Sequence, residues 1–391
     1  MNLEQYLQEA KRKEKQGQLE EAILDYEKAK VLDANNKEIV LSLSRLYLFK
    51  NKPIQSLEIL YELPSIDHDA DYLLQLSSTY MALQRFEDAY RILLDAVHSH
   101  PTPPLLNNLG VVSIRLNKKK EAIEYLSRSL DLENKNPNTW INLATFYEAQ
   151  SDFDTAIAVL KKAILQLQHP EIYERLALAL SRKRQFDEAI NAIEDGLRQY
   201  SDQSRLMRSK LKILFMSEQY DECLKYIEWL ESEKAADLEF RKEMLEIKEQ
   251  VFFHRREIDQ CLNTLDDLIQ LSHESPVYFL RKAFVFLSQK NFRSALEWAT
   301  KLLKLPHLAP NLRSEGVMLM KSIELENWKL LAYMLFSDPI FKDAMRQNPV
   351  YAIQSRGILL PEEGMAQIIE WLKNPSSPKF ASYNDGNKNI N

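Results

Sequence analysis

Apolar residues along this chain keep two rhythms at once. The short rhythm is helical. Leu73, Leu76, Tyr80, Phe86, Ala89, Leu93 and Ala96 follow one another at helical spacing with a single longer step, and Trp140, Leu143, Ala144, Tyr147, Phe153, Ala156, Leu160 and Ala163 repeat the pattern. Such spacing predicts the inner faces of two successive amphipathic helices. The long rhythm is marked by a small residue, at Ala22, Ser56, Ala89, Ala122, Ala156, Ala189, Cys223, Cys261 and Ala295, in steps of 33 or 34 with one of 38. Just before the marker, Gly17-Gln18-Leu19-Glu20-Glu21, Arg85-Phe86-Glu87-Asp88 and Gln185-Phe186-Asp187-Glu188 each read as a turn and a helix start, with carboxylates suited to the helix N-terminus. Each unit is thus two helices and a tight turn. No single unit closes a core, so neighbours must stack to bury their faces.

These residues resemble the tetratricopeptide repeat, whose pattern runs Trp, Leu-Gly, Tyr, Ala, Phe, Ala and Pro at fixed offsets. The stretch from Trp140 to Ala163 follows it closely, as do Leu106, Leu109-Gly110, Ala122, Leu126 and Pro137. Small residues at Gly110, Ala144 and Ala177 let two helices approach, and Tyr47, Tyr80 and Tyr147 fill the wider space one turn later. The resemblance covers residues 3–305. It implies an all-α fold, a right-handed α–α superhelical solenoid of about nine to ten repeats with a C-terminal helical cap, its first helices lining a concave side.

Between residues 204 and 275 the pattern degrades, because strict phasing puts Lys210, Lys248 and Glu249 where apolar or small residues belong. A one-residue change in turn length would repair the phase. The step of 38 predicts a longer helix or loop near Glu231-Ser232-Glu233-Lys234-Ala235. Residues 306–338 read as a degenerate tenth pair, with Val317, Leu319, Met320 and Ile323 on one helix and Trp328, Leu331, Ala332, Leu335 and Phe336 on the next. Residues 339–373 read as a helical cap over the last open hydrophobic edge or, alternatively, as a separate partner-binding helix, with an apolar stripe of Met365, Ile368, Ile369 and Leu372, and 374–391 as a polar, disordered tail.

Composition removes several functions. With 7 Gly and 15 Pro in 391 residues the chain suits long helices and tight turns, and its scattered glycines form no phosphate-binding loop. A net charge of −6 gives no global field for nucleic acid or an anionic membrane. No apolar run is long enough to span a bilayer, and Met1-Asn2-Leu3-Glu4-Gln5 lacks a secretory signal's basic start, so a cytoplasmic address is expected. Cys223 and Cys261 both sit at the small-residue phase. Equivalent helices in adjacent repeats lie about 8–10 Å apart, beyond the roughly 7 Å limit of a disulfide, so two free, inert thiols are expected. His98 and His100, beside Pro101, have no further ligands at metal-binding spacing. The expectation is a chain without cofactor, metal or catalytic activity.

Binding is then expected on the first-helix face. Asn108, Asn142 and Arg175 occupy one phase in three successive repeats, with Asn107, Asn138 and Thr145 beside them. An asparagine row can hydrogen-bond an extended peptide backbone without demanding its sequence; the alternative is Asn as an ordinary exposed residue. The row resembles the asparagine ladder in the peptide-binding arm of the O-linked glucosaminyl transferases. The carboxylate clamp that some relatives use for chaperone C-termini fits only in part. Asn142 and Arg175 match it, but Asn107 and Val111 replace the first Lys and Asn, and Glu171 reverses a required positive charge. Arg205, Arg208 and Lys212, with Arg281 farther on, either make a basic stretch that favours acidic segments or a free C-terminus, or are solvated residues with Asp and Glu partners. The resulting expectation is a scaffold that holds a protein or peptide, with no nucleic acid and no membrane insertion. A helical-repeat RNA binder and a regulatory subunit of an enzyme complex are the alternatives.

Overall fold

The computed structural model describes residues 2–64, 69–201, 203–233, 236–272, 275–358, 360 and 362–373. All regular structure among them is helical, in 22 helices. The expected tail at 374–391 lies outside the described residues, as do Lys234 and Ala235. The chain divides into two compact units, Met1–Ser217 and Glu218–Asn391.

The first unit stacks six hairpins and a seventh first helix. The hairpins pair α1 (Leu3–Lys15) with α2 (Leu19–Leu32), α3 (Lys37–Phe49) with α4 (Pro53–Tyr61), and α5 (Ala70–Ala82) with α6 (Phe86–Ser99). Then come α7 (Pro103–Arg115) with α8 (Lys119–Leu132), α9 (Pro137–Ala149) with α10 (Phe153–Gln166), α11 (Pro170–Arg182) with α12 (Phe186–Gln199), and finally α13 (Ser204–Met216). Each second helix also packs on the next first helix, and first helices of neighbouring hairpins touch. The phase markers Ala22, Ser56, Ala89, Ala122, Ala156 and Ala189 are all fully buried where helices meet. Proline opens α7, α9 and α11 at the first turn, where its missing N–H costs nothing.

The hairpin turns show the period again, in the backbone. Gly17, Asn51, Gln84, Asn117, Ser151, Arg184, Glu218, Arg256 and Lys290 all have positive φ, between 56° and 75°, one in each turn. At all of these positions other than Glu218, the next residue is seen to donate its N–H back into the last helical turn, as in Lys118 to Ser113 O (2.8 Å) and Gln185 to Leu180 O (3.0 Å). These are Schellman caps, in which a left-handed residue follows the helix and glycine is the natural occupant. Only Gly17 meets that preference. Replacing Arg184 by glycine relieves the left-handed strain, about 1–2 kcal/mol, against an unfolded-state entropy cost of about 0.5–1 kcal/mol. Arg184→Gly is therefore expected to raise the urea-unfolding free energy by about 0.5–1 kcal/mol; unchanged or lower stability would refute this reading of the turn.

The second unit holds α14 (Tyr220–Ser232), α15 (Leu238–His254) with α16 (Ile258–Leu271), α17 (Pro276–Ser288) with α18 (Phe292–Leu303), and then α19 (Pro310–Ser337). The turns after α13, α15 and α17 keep the three-residue length seen after α11, so no change in turn length repairs the phase. The charged residues occupy their slots directly. Lys210 reaches Glu194 at 2.8 Å, Lys248 reaches Glu231 at 3.3 Å and Lys282 pairs with Asp266, each carboxylate lying on the preceding second helix. A lysine stem fills the apolar slot while its ammonium reaches a counter-charge. The step of 38 appears as a lengthened helix: α15 has 17 residues against 13 in α13 and α17.

The expected tenth pair is instead one continuous helix, α19, of 28 residues. Between Met320 and Trp328 the chain has no Gly or Pro, and Asn327, the one residue suited to a left-handed turn, is buried with its amide donating to Ile323 O at 3.0 Å. Beyond it, α20 (Pro339–Gln347), α21 (Pro349–Ser355) and α22 (Glu362–Lys373) pack Phe341, Met345, Ile353 and Ile368 with Trp328, Leu331 and Leu335 of the distal half of α19. Cys223 and Cys261 are free and buried, and burial pushes both thiols up to about 12. A thiol so shifted has almost no thiolate at neutral pH.

Candidate functional site

The residues singled out by phase lie on α7, α9, α11 and α13, all in the first unit. Gly110 allows the close approach of α7 and α8, and the core residues Leu106, Leu109, Trp140, Leu143, Ile172 and Leu176 fix the rotation of the first three helices. Their remaining face carries the polar row. Asn142 Nδ2 donates to Asn107 Oδ1 at 2.9 Å, and Asn107 Nδ2 donates to Asn108 Oδ1 at 3.3 Å. The bond between neighbouring repeats thus joins Asn142 to Asn107, one residue out of phase with the expected Asn108–Asn142–Arg175 row, and Asn108 is reached only through Asn107 within α7. This arrangement leaves the Asn108 amide NH2 and the Asn142 amide oxygen unengaged among the described residues, one donor group and one acceptor on a half-exposed face. Asn138 is exposed at the start of α9, its backbone N–H held by Asn136 Oδ1 at 3.0 Å.

The basic residues are placed differently from the asparagines. Arg175 donates to Thr145 Oγ1 at 2.5 Å and lies 3.7 Å from Glu148, a buried carboxylate that also receives Arg182 at 2.8 Å. Arg205 Nε lies 2.6 Å from buried Glu174 and its guanidinium 3.6 Å from Glu171, while Ser209 donates to the other Glu174 oxygen at 3.0 Å. Arg281 of the second unit is 3.2 Å from Glu249 in the same manner. Arg208 is half-buried and Lys212 exposed on α13, sharing the helix face of Arg205. Of the two readings of this basic stretch, the one with nearby Asp and Glu partners matches the geometry at Arg205 and Arg281. A carboxylate already beside each guanidinium offsets its attraction for an acidic ligand.

Sequence reasoning missed two features of this face. Glu148 and Glu174 are buried acids that organise the arginines, and nothing in their local sequence separates them from solvated glutamates. Leu41, Leu74 and Ile141 are only partly buried, and they share the phase of Asn107 at the same step of 33 or 34. Extending the phase argument from polar to apolar residues would have found them. Leu178 and Met216 add exposed apolar surface on α11 and α13.

A sequence-family profile described as the coatomer epsilon subunit matches residues 15–194, just under half of the chain. A BBSome complex member, the BBS4 homologue of Drosophila melanogaster, is 27% identical over 216 residues, covering 54% of this chain and 44% of its own length. The chain thus spans less than half of that relative. Among solved structures, a TPR protein of Thermus thermophilus is similar at 25% identity and a TM-score of 0.42, covering 46% of this chain and 98% of its own. A tetratricopeptide repeat protein of Parabacteroides merdae is similar at 17% identity and a TM-score of 0.42, covering 63% and 97%. No described helix is long and apolar enough to cross a membrane. By its own phased small residues, paired helices and recurrent left-handed turns, the chain is a tetratricopeptide-type helical-repeat protein.

Proposed function

We propose that the chain is a non-enzymatic docking subunit that holds a segment of a partner protein along the first-helix face of α7, α9 and α11. The observation that carries this reading is the Asn107–Asn108–Asn142 ladder, which keeps an unengaged donor group and acceptor on a half-exposed face. A peptide group offers the complementary acceptor and donor, so an extended backbone satisfies the row whatever its side chains. Ile141 and Leu178 supply apolar contact beside it. Arg175 and Arg205, each beside a buried glutamate, hold the wall of the groove, and acidic residues or a free C-terminus in the ligand are secondary determinants. The likeness to a BBSome member and to a coatomer subunit profile supports work within a multiprotein assembly.

The test is affinity capture with wild type and with Asn108→Ala, Asn142→Ala and Arg175→Ala combined, the helix content checked by circular dichroism. Each lost hydrogen bond weakens binding by about 0.5–1.5 kcal/mol, so the three together predict a loss of about 10- to 2000-fold. A folded triple variant that keeps every wild-type partner at undiminished affinity would overturn the proposal.

A further inference from the structure

The outer face of α19 is apolar where a helix of a water-exposed stack should be polar. Met318, Leu325, Tyr333 and Phe336 are exposed, the last two by 69% and 72%. At 100° per residue they fall within an arc of about 80°, and they run about 27 Å along the helix. Lys321, Ser322 and Lys329 are exposed on the same face. The opposite face is already buried, through Leu319, Ile323 and Asn327. A helix apolar on both sides is expected to be covered on both. The arrangement of this stripe says what covers it. An antiparallel copy of the same helix, with its two-fold axis crossing near residue 327, sets Met318 against Phe336, Ser322 beside Tyr333 and Leu325 against the stem of Lys329.

We infer that two copies of this chain associate through α19 in this antiparallel pairing. An isologous interface requires a self-complementary surface, and each contact is then made twice. The contacts are chemically matched: a thioether on an aromatic ring, a serine hydroxyl beside a phenol, and an aliphatic stem on a leucine. Glu326, 2.7 Å from Lys329 within each copy, stands beside the axis and offsets the approach of the two lysines. Aromatic side chains bury about 150–250 Å² each, and the whole stripe offers about 600–800 Å² per copy, near the ~800 Å² of a standard interface. This association is independent of the asparagine ladder in the first unit.

Sedimentation of the full-length chain over a concentration series tests it. A monomer–dimer equilibrium is expected, weakened at least about tenfold by Phe336→Glu, with unchanged circular dichroism because the residue is exposed. Register is read separately by cysteine cross-linking. Met318→Cys chains mixed with Phe336→Cys chains should form a disulfide-linked pair on mild oxidation, and neither variant should cross-link with itself, since the native thiols are buried. A chain that stays monomeric at every concentration, or shows protection of α19 only when a different protein is added, overturns the inference. So do a dimer indifferent to Phe336→Glu and a Met318→Cys chain that links to itself.

Discussion

Gly110→Val is expected to lower the unfolding free energy by about 3 kcal/mol, the upper part of the range for overpacking a filled core. A Cβ at position 110 would sit 2.6 Å from Leu126 Cγ, 2.9 Å from its Cδ2 and 3.3 Å from its backbone nitrogen. Leu126 is fully buried, so its side chain has no free space to enter, and the backbone contact cannot be relieved by any rotamer. Alanine at this position gains about 1 kcal/mol of helix propensity and still meets the clash, so Gly110→Ala should cost less than valine. The cause is separable by coupling. In a Leu126→Ala background the added methyl groups enter the space vacated, and the penalty of Gly110→Val should shrink by more than half. Equal penalties in both backgrounds, read from urea denaturation, would show that the helices do not meet at Gly110.

Arg281→Met should be nearly as costly. Glu249 occupies the small-residue slot of α15, is buried, and accepts from Cys261 Sγ at 3.7 Å and from Arg281 at 3.2 Å. Removing the arginine leaves a buried carboxylate without its counter-charge, a loss of about 3 kcal/mol, at the low end for buried pairs because Arg281 is itself partly exposed. Burial already raises the Glu249 pKa above its ordinary value, and Arg281 is the main influence holding it down. The native state therefore holds a proton over an interval in which the unfolded chain has released it. Stability contributed by this site falls as pH rises through that interval and levels off once the folded carboxyl ionises. Arg281→Met should extend the fall to higher pH, and Glu249→Gln should abolish it. The Arg281→Met, Glu249→Gln double variant should recover most of the lost stability. A double variant no more stable than Arg281→Met alone would mean that the buried charge is not the source of the cost.

The hairpins were legible because each rests on a local rule repeated in phase: a small residue at the crossing, apolar residues at helical spacing, and acids at the second helix's start. The asparagine ladder was legible for the same reason. Asn108 and Asn142 are one period apart, so phase put them in one row, but the hydrogen bond between repeats runs from Asn142 to Asn107, one residue off that phase. What lay outside that reasoning depends on contacts between units. Lys210, Lys248 and Lys282 look like phase errors in isolation and become acceptable only through Glu194, Glu231 and Asp266 on the preceding helices. Arg205 looks available for a ligand until Glu174 is seen folded against it. The continuity of α19 was hidden because its apolar residues lie on two faces, and a period search divides such a pattern into two helices. The left-handed turns were missed because Ser151, Arg184 and Glu218 stand where the local rule asks for glycine.

The claim that α7, α9 and α11 present the partner-binding face is tested most directly by where a partner touches the chain. A photo-reactive amino acid placed singly at Asn108, Asn142 or Leu178 samples the first-helix face, and one placed at Arg128, Lys161 or Glu188 samples exposed positions on the second helices. After irradiation with the partner captured by wild type, adducts are predicted from the three first-helix sites and not from the three second-helix sites. Adducts arising equally from both sets, or from the second helices alone, would contradict the account.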